Sequence, residues 1–189
     1  MGRADADCVL LAAGLSTRMG RWKMVLPYGD STVIETAVTR VLSAVRRVIL
    51  VTGFRANELA RMFADDPGVF SVYNREYRRG MFSSVRSGAA AVTSKRFFVL
   101  PADMPGILPA TFTKLFAARR APVVRPVYKG KSGHPVLLDE RVRKAVLAEP
   151  EDSNLKDVLG RFSSAELPVE DENILYDIDT TEDYRARRL

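Results

Sequence analysis

One cysteine and one histidine in 189 residues remove several kinds of chemistry at the outset. Cys8 alone permits no intramolecular disulfide, and inside an apolar run it reads as a small core residue, not a nucleophile. One Cys and one His give no material for a zinc cluster. No apolar run approaches the roughly 18 residues needed to cross a bilayer. The opening residues, MGRADAD, carry charges and no signal-peptide core follows, so a cytoplasmic protein with no membrane association is expected. Also missing are the Walker spacing Gly-x-x-x-x-Gly-Lys-Ser/Thr, the dinucleotide pattern Gly-x-Gly-x-x-Gly and the Gly-x-Ser-x-Gly elbow of serine hydrolases. No repeat, linker or low-complexity segment interrupts the chain, and its length suits one domain over residues 1–189.

Hydrophobic residues make up 47% and charged residues 28%, an ordinary globular composition. The net charge is +6, from 29 basic and 23 acidic residues. The basic residues are scattered in small groups such as Arg46–Arg47, Arg78–Arg79, Arg119–Arg120 and Arg187–Arg188, with no long block or interleaved aromatics. A polyanionic small molecule explains that balance at least as well as nucleic acid, whose case rests on charge alone, and no nucleic-acid partner is expected.

The rest of the chain is organised around Cys8 to Pro27. An apolar run, Cys8 to Leu11, reads as a buried strand and breaks into Ala12, Ala13 and Gly14. Ser16, Thr17, Arg18, Gly20 and Lys23 follow. A strand feeding a loop of small residues brings bare backbone N–H groups against phosphate oxygens, and Arg18 and Lys23 supply positive charge. The competing reading is an ordinary strand–turn–helix with solvated basic residues.

Thr32-x-x-Glu35 is a capping box, followed by apolar residues at helical spacing from Ile34 to Val45. Val48–Thr52 reads as a parallel strand, 56–63 as a short helix and Val69–Tyr73 as a strand. Asn74–Gly80 reads as an exposed basic loop, and a helix starts at Met81 with small residues at Gly88 to Ala91. Arg96–Leu100 is the fourth strand, and Pro109 opens a helix carrying Phe112, Leu115 and Phe116. Val123–Tyr128 and Pro135–Leu138, on either side of Lys129–Gly133, predict two antiparallel strands and a mobile loop. Helices over Glu140–Leu147 and Asn154–Phe162, a strand over Ile174–Ile178 and a helix from Thr181 complete an α/β fold.

Asp103 follows the strand Phe97–Leu100 and sits between two prolines. Ligands of open α/β sheets gather at the carboxyl ends of strands, where a carboxylate can hold Mg²⁺; the alternative is an Asp that caps a turn. Asp177 and Asp179, two apart, share a face if they lie in a strand, and one of them is expected to cap the last helix. His134, in Gly133-His134-Pro135, has no nucleophile to serve; substrate contact and a surface loop both stand.

Taken together, these segments resemble a known family. Leu11–Pro27, LAAGLSTRMGRWKMVLP, is similar to the Leu-Ala-Ala-Gly-x-Ser-x-Arg-Met-Gly-x-x-Lys-x-x-Leu-Pro signature of the MobA-like nucleotidyltransferases, and within them to the molybdenum cofactor cytidylyltransferases. Gly80–Gly88, Pro101-Ala102-Asp103-Met104-Pro105, Gly133-His134-Pro135 and Asp177–Asp183 resemble further segments of that branch, in the same order. The resemblance implies a three-layer, Rossmann-like (GT-A-like) α/β fold with a mostly parallel central sheet and a small antiparallel part. It implies that Arg18 and Lys23 take the triphosphate. Leu11, Ala12, Ala13 and Gly14 would meet the nucleotide through backbone, Gly80, Met81, Ser83 and Ser84 would lie by base and ribose, and His134 would touch substrate. Mg²⁺ would be held by Asp103 and one late aspartate, Asp179 favoured over Asp177. The implied reaction is attack by the phosphate of molybdenum cofactor on the α-phosphate of CTP, with release of pyrophosphate; a molybdenum hydroxylase apoenzyme is a further partner. GTP in place of CTP, a sugar- or polyol-phosphate acceptor, and a non-catalytic cofactor-insertion chaperone are the alternatives. Two departures, Pro101-Ala102 for Leu-Gly and Thr181 for Pro, remove no charged group but loosen the choice of base.

Overall fold

The structure is a computed structural model that describes residues 2–118, 121–150 and 152–187. Arg119, Arg120 and Arg188, three of the scattered basic residues, lie outside the described residues. In chain order the elements are β1 (Ala4–Leu11), β2 (Pro27–Tyr28), β3 (Ser31–Thr32), α1 (Val33–Ala44), β4 (Val45–Thr52), α2 (Ala56–Met62) and β5 (Val69–Tyr73). Then come α3 (Met81–Ala91), β6 (Arg96–Pro101), α4 (Pro109–Ala117), β7 (Val123–Tyr128), β8 (Lys131–Ser132) and β9 (Val136–Asp139). The chain closes with α5 (Glu140–Ala148), α6 (Leu155–Leu159), β10 (Ser164–Pro168) and α7 (Thr181–Arg187).

The main sheet runs β10-β7-β9-β6-β1-β4-β5, with β8 paired to β7, while β2 and β3 form a separate hairpin. Strand β1 lies at the centre of the parallel part, where Val9 pairs with Ile49 of β4 and Val99 of β6. Strand β9 runs antiparallel to both β6 and β7, and this inserts the antiparallel element into the sheet. Because side chains alternate along a strand, Cys8 and Leu10 face one layer and Val9 the other. The first layer packs them with Ile34, Val38 and Val41 of α1 and with Phe112 and Leu115 of α4. The second packs Val9, Ile49 and Val99 against Phe82, Val85 and Ala89 of α3 and Val142 and Val146 of α5. The result is three layers, α/β/α. Among the described residues no helix is long and apolar enough to cross a membrane.

Local signals set most of these elements. The capping box at α1 is present: the Glu35 amide donates to Thr32 Oγ1 at 3.3 Å, and the Thr32 amide donates to Glu35 Oε2 at 3.0 Å. Gly88 lets α3 approach the sheet, since a Cβ there would stand 2.3 Å from Val9 Cγ1 and 2.9 Å from Val51 Cγ2.

Four expectations change. Ile174–Ile178 is not a strand: residues Glu172–Leu175 form a 3₁₀ turn, and Ile178 N–H donates to Asp103 O at 2.9 Å. Asp171 decides this, accepting from the Asn173 amide at 3.1 Å and so turning the chain before any ladder can form. An unforeseen edge strand, β10, pairs with β7 through a polar, half-exposed sequence without a clear β pattern. The predicted partner of β7 is split: β7 turns at Lys129-Gly130, both at positive φ, into the short β8, and β9 then joins β7 at Val123 and Val124. The loop from 74 to 80 is not wholly exposed, because Asn74 is buried.

Candidate active site

Past the carboxyl ends of β1 and β6, the place where open α/β sheets receive ligands, lies a cavity of about 550 Å³. Residues Leu11 to Arg18 and Lys23 form one wall, Pro101, Asp103 and Met104 a second, and Ser132, Gly133 and His134 a third. Tyr77, Gly80, Met81 and Ser84 come from the start of α3 and the loop before it; Ile174, Leu175, Asp177 and Asp179 come from the chain before α7.

The N-terminal loop leaves the sheet in an ordered way. The Ala12 amide still donates to Val51 O at 2.9 Å, and the Phe54 amide holds Ala13 O at 3.2 Å. A Cβ built at Gly14 would meet no protein atom within 4 Å, so the wall there is bare backbone. Ser16 turns the chain in the left-handed region, and Gly20, also at positive φ, ends the short 3₁₀ turn. The Lys23 amide donates to Ser16 Oγ at 3.2 Å, which folds the loop back and aims the lysine inward. Met19, Leu26 and Tyr28 pack with Ile178 and Tyr184, and Tyr184 Oη donates to Pro27 O at 2.7 Å. This contact docks the C-terminal segment beneath the loop and carries Asp179 to it.

Lys23 Nζ bridges Asp103 Oδ2 and Asp179 Oδ1, the latter at 3.0 Å, and Arg18 Nη1 meets Asp179 Oδ2 at 2.7 Å. The two cations differ in setting: the Lys23 side chain is 11% exposed and that of Arg18 is 72% exposed. Lys23 is enclosed between two carboxylates, whereas Arg18 lies largely in water and pairs with Asp179 from the solvent side. Burial pushes the Lys23 pKa down, but Asp103 and Asp179 outweigh it and hold the ammonium above its ordinary value. Asp177 is pushed up by burial, with Asp179 and Asp103 adding like charge. Burial lowers the His134 pKa against the pull of Asp177, favouring the neutral ring; its amide donates to Ile174 O at 2.9 Å.

Asp103, Asp177 and Asp179 each offer a carboxylate oxygen, all within 4.8 Å of one another. Oδ1 of Asp103 is buried and has no hydrogen-bond partner among the described residues. Three carboxylates face two cations, and an unpaired buried carboxylate oxygen is costly. The donor set is entirely hard oxygen, which fits a divalent cation such as Mg²⁺.

The structure brings Arg18, Lys23, Asp103, Asp179 and His134 to one cavity, with Leu11 to Gly14, Gly80, Met81 and Ser84 on its wall. Ser83 lies off that wall; its hydroxyl donates to Gly80 O at 2.8 Å or Glu76 O at 3.0 Å. The cap of α7 is neither Asp177 nor Asp179. Thr180 and Asp183 cap each other, the Thr180 amide donating to Asp183 Oδ2 at 2.8 Å and the Asp183 amide to Thr180 Oγ1 at 3.1 Å. Both earlier aspartates therefore stay available to the cavity. Sequence reasoning passes over Tyr77, Met104 and Ser132. Gly133 enters it only as part of a motif, yet a Cβ there would stand 2.1 Å from Ile174 O. No local pattern marks such a crossing of two loops.

A loop of bare backbone, a buried lysine and an acidic cluster meet at the carboxyl end of a Rossmann-like sheet, an arrangement suited to a polyphosphate ligand. The family model described as MobA-like NTP transferase domain matches residues 8–167. The chain is 33% identical over 178 residues to the molybdenum cofactor cytidylyltransferase of Escherichia coli (strain K12), covering 94% of this chain and 93% of that protein. It belongs to the MobA-like NTP transferase family and is a nucleotidyltransferase. Among solved structures, Rv0371c of Mycobacterium tuberculosis H37Rv superposes with a TM-score of 0.82 at 28% identity, covering 96% of this chain and 97% of that one. The complex of Rv0371c with manganese gives 0.77 at 26% identity, covering 97% and 98%.

Proposed function

We propose that the chain is a Mg²⁺-dependent CTP:molybdenum cofactor cytidylyltransferase that releases pyrophosphate. The observation that carries this reading is the convergence of Lys23, Arg18 and the three aspartates, from segments 80 and 156 residues apart, on one cavity. Its choice of substrates is supported by the likeness to the E. coli cytidylyltransferase, and its choice of a divalent ion by the likeness to Rv0371c, which forms a complex with manganese. The acceptor's terminal phosphate attacks the α-phosphorus of CTP; a bond from acceptor oxygen to phosphorus forms and the bond to the pyrophosphate oxygen breaks. A phosphate monoester is largely ionised near neutral pH, so no general base is needed. Catalysis then rests on positioning and on neutralising charge.

Arg18 leaves Asp179 for the β- and γ-phosphates, while Lys23, already buried, stabilises charge as it builds on the leaving pyrophosphate. The backbone of Ala12 to Gly14 lines the phosphates, Gly80, Met81 and Ser84 lie by base and ribose, and His134 meets the acceptor as a neutral ring. Asp103 and Asp179, with Asp177 beside them, would hold Mg²⁺, which supplies charge neutralisation at the phosphates when bound. The product passes to a molybdenum hydroxylase apoenzyme in the cytoplasm.

Thermal melting with CTP and with GTP, each with Mg²⁺, tests the base. A ligand at a hundred times its Kd stabilises by about 2.7 kcal/mol, and the expected result is a clear shift with CTP and a smaller one with GTP. Pyrophosphate release with purified molybdenum cofactor tests the reaction, and full turnover by Asp103→Asn would end the metal assignment.

A further inference from the structure

Asn74 stands at the head of a polar, basic stretch, yet it is 3% exposed. Its amide donates to Thr52 O at 2.8 Å, continuing the register of β4 and β5 one residue past Tyr73. Its side chain then closes a local turn, Oδ1 accepting from the Glu76 amide at 2.9 Å. A backbone N–H can only donate, so this bond settles which end of the carboxamide is oxygen. The NH₂ group must face the other way, where it donates to Ser83 Oγ at 2.9 Å and Ser84 Oγ at 3.0 Å.

The two serines are left in different states. Ser83 passes its own proton back to Gly80 O or Glu76 O, and so secures the loop. Ser84 is 4% exposed and lines the cavity with Tyr77, Gly80 and Met81. Its oxygen already accepts from Asn74, and among the described residues no acceptor takes its proton. With one of its two lone pairs taken by Asn74 and no such acceptor for its proton, this buried hydroxyl has its O–H left to place in the cavity.

We infer that Asn74 is a positioning residue that fixes the polarity of Ser84, holding that hydroxyl as a hydrogen-bond donor to an acceptor atom of the bound nucleotide. The inference rests on the nucleotide reading above and adds a determinant of recognition outside the cavity wall. Such a site discriminates against ligands that present a donor there, because the buried Ser84 O–H is then left without an acceptor.

Asn74→Asp is close in shape but carries no donor. The carboxylate keeps the Glu76 amide and takes protons from the serines, so Ser84 is converted from donor to acceptor. The expected result is a KM for CTP raised about tenfold, a loss of roughly 1.4 kcal/mol, with kcat changed much less. Asn74→Ala removes the staple but leaves the Ser84 hydroxyl free to rotate and donate. It should therefore melt lower than Asn74→Asp yet bind CTP better, an order that a purely structural role reverses. In a Ser84→Ala background the Asn74→Asp change should cost nothing further. Losses that multiply in the double variant, or an unchanged KM in folded Asn74→Asp, would overturn the role of Asn74 alone. Failure of the wild-type chain to bind CTP or GTP would instead overturn the nucleotide reading and this inference with it.

Discussion

Lys23 is the residue on which the proposed reaction turns. It is buried between two carboxylates, and its replacement has two separable consequences. Lys23→Met removes the fixed cation from the phosphate site, and kcat/KM should fall by about 10²–10³, the usual effect of deleting one preorganised charge-stabilising donor. It also leaves Asp103 and Asp179 facing each other, with Asp177 beside them and the exposed Arg18 paired to Asp179, so the unliganded protein should melt lower. Arg18→Met should lose less stability, since its side chain is largely in water and surface pairs contribute about 0–1 kcal/mol. Steady-state kinetics and melting curves of the two variants check the distinction; equal stability losses would mean that burial of Lys23 has been overrated.

Helix α3 shows the same reasoning at the level of an element. Its small residues are readable from the sequence as a face for close packing, and Gly88 supplies the closest approach. Gly→Ala inside a helix ordinarily stabilises by about 1 kcal/mol. Here the new methyl group would come 2.3 Å from Val9 Cγ1, in the central strand. Overpacking of a core costs about 1–3 kcal/mol, and since Val9 is hemmed in by Ile49 and Val99, the steric term should win. Gly88→Ala is expected to lower the melting temperature by several degrees, and a rise would show that the helix moves away from the sheet at little cost. The same element carries Gly80, Met81 and Ser84 at its start, so a displaced α3 should also weaken nucleotide binding.

At the scale of the molecule, stability and function are placed at opposite ends of the sheet. Near the amino end of β1, Asp7 is fully buried, accepting from Arg46 and Arg47 of β4 and from the Thr93 and Ser94 amides between α3 and β6. Burial alone would raise its pKa, but Arg47 and the two amides outweigh it and hold the carboxyl below the ordinary value of 3.8. A carboxylate depressed in the folded state contributes stability above its unfolded pKa and loses it as pH falls through the folded one. Asp7→Asn should therefore destabilise at pH 7 by about 3 kcal/mol, the low end for breaking a buried pair, because Arg46 and Arg47 keep access to water. The gap from wild type should narrow as pH drops below 3.8, and a gap that widens there would contradict the assignment. Catalysis by the folded variant should be unchanged, since Asp7 touches no residue of the cavity wall.

Much of this is open to reading in the chain itself. The Thr32–Glu35 box, the apolar runs of β1, β4 and β6, and the loop from Ala12 to Lys23 follow from short-range rules of periodicity, capping and turn chemistry, which neighbouring residues obey wherever the chain folds. The late segment resists the same rules. Ile174 to Ile178 has strand composition, but Asp171 and a crossing loop at Gly133 claim its backbone, and neither lies within the window that such rules use. Residue types and their order determined the fold class, the central parallel strands and the loop that brings Arg18 and Lys23 to the cavity. Only the tertiary structure decided that Asp177 and Asp179 both reach Asp103, and that Asn74 turns its NH₂ toward Ser84. Those outcomes depend on which donors and acceptors from separate segments share a buried space, and a short window of sequence does not say which segments will meet.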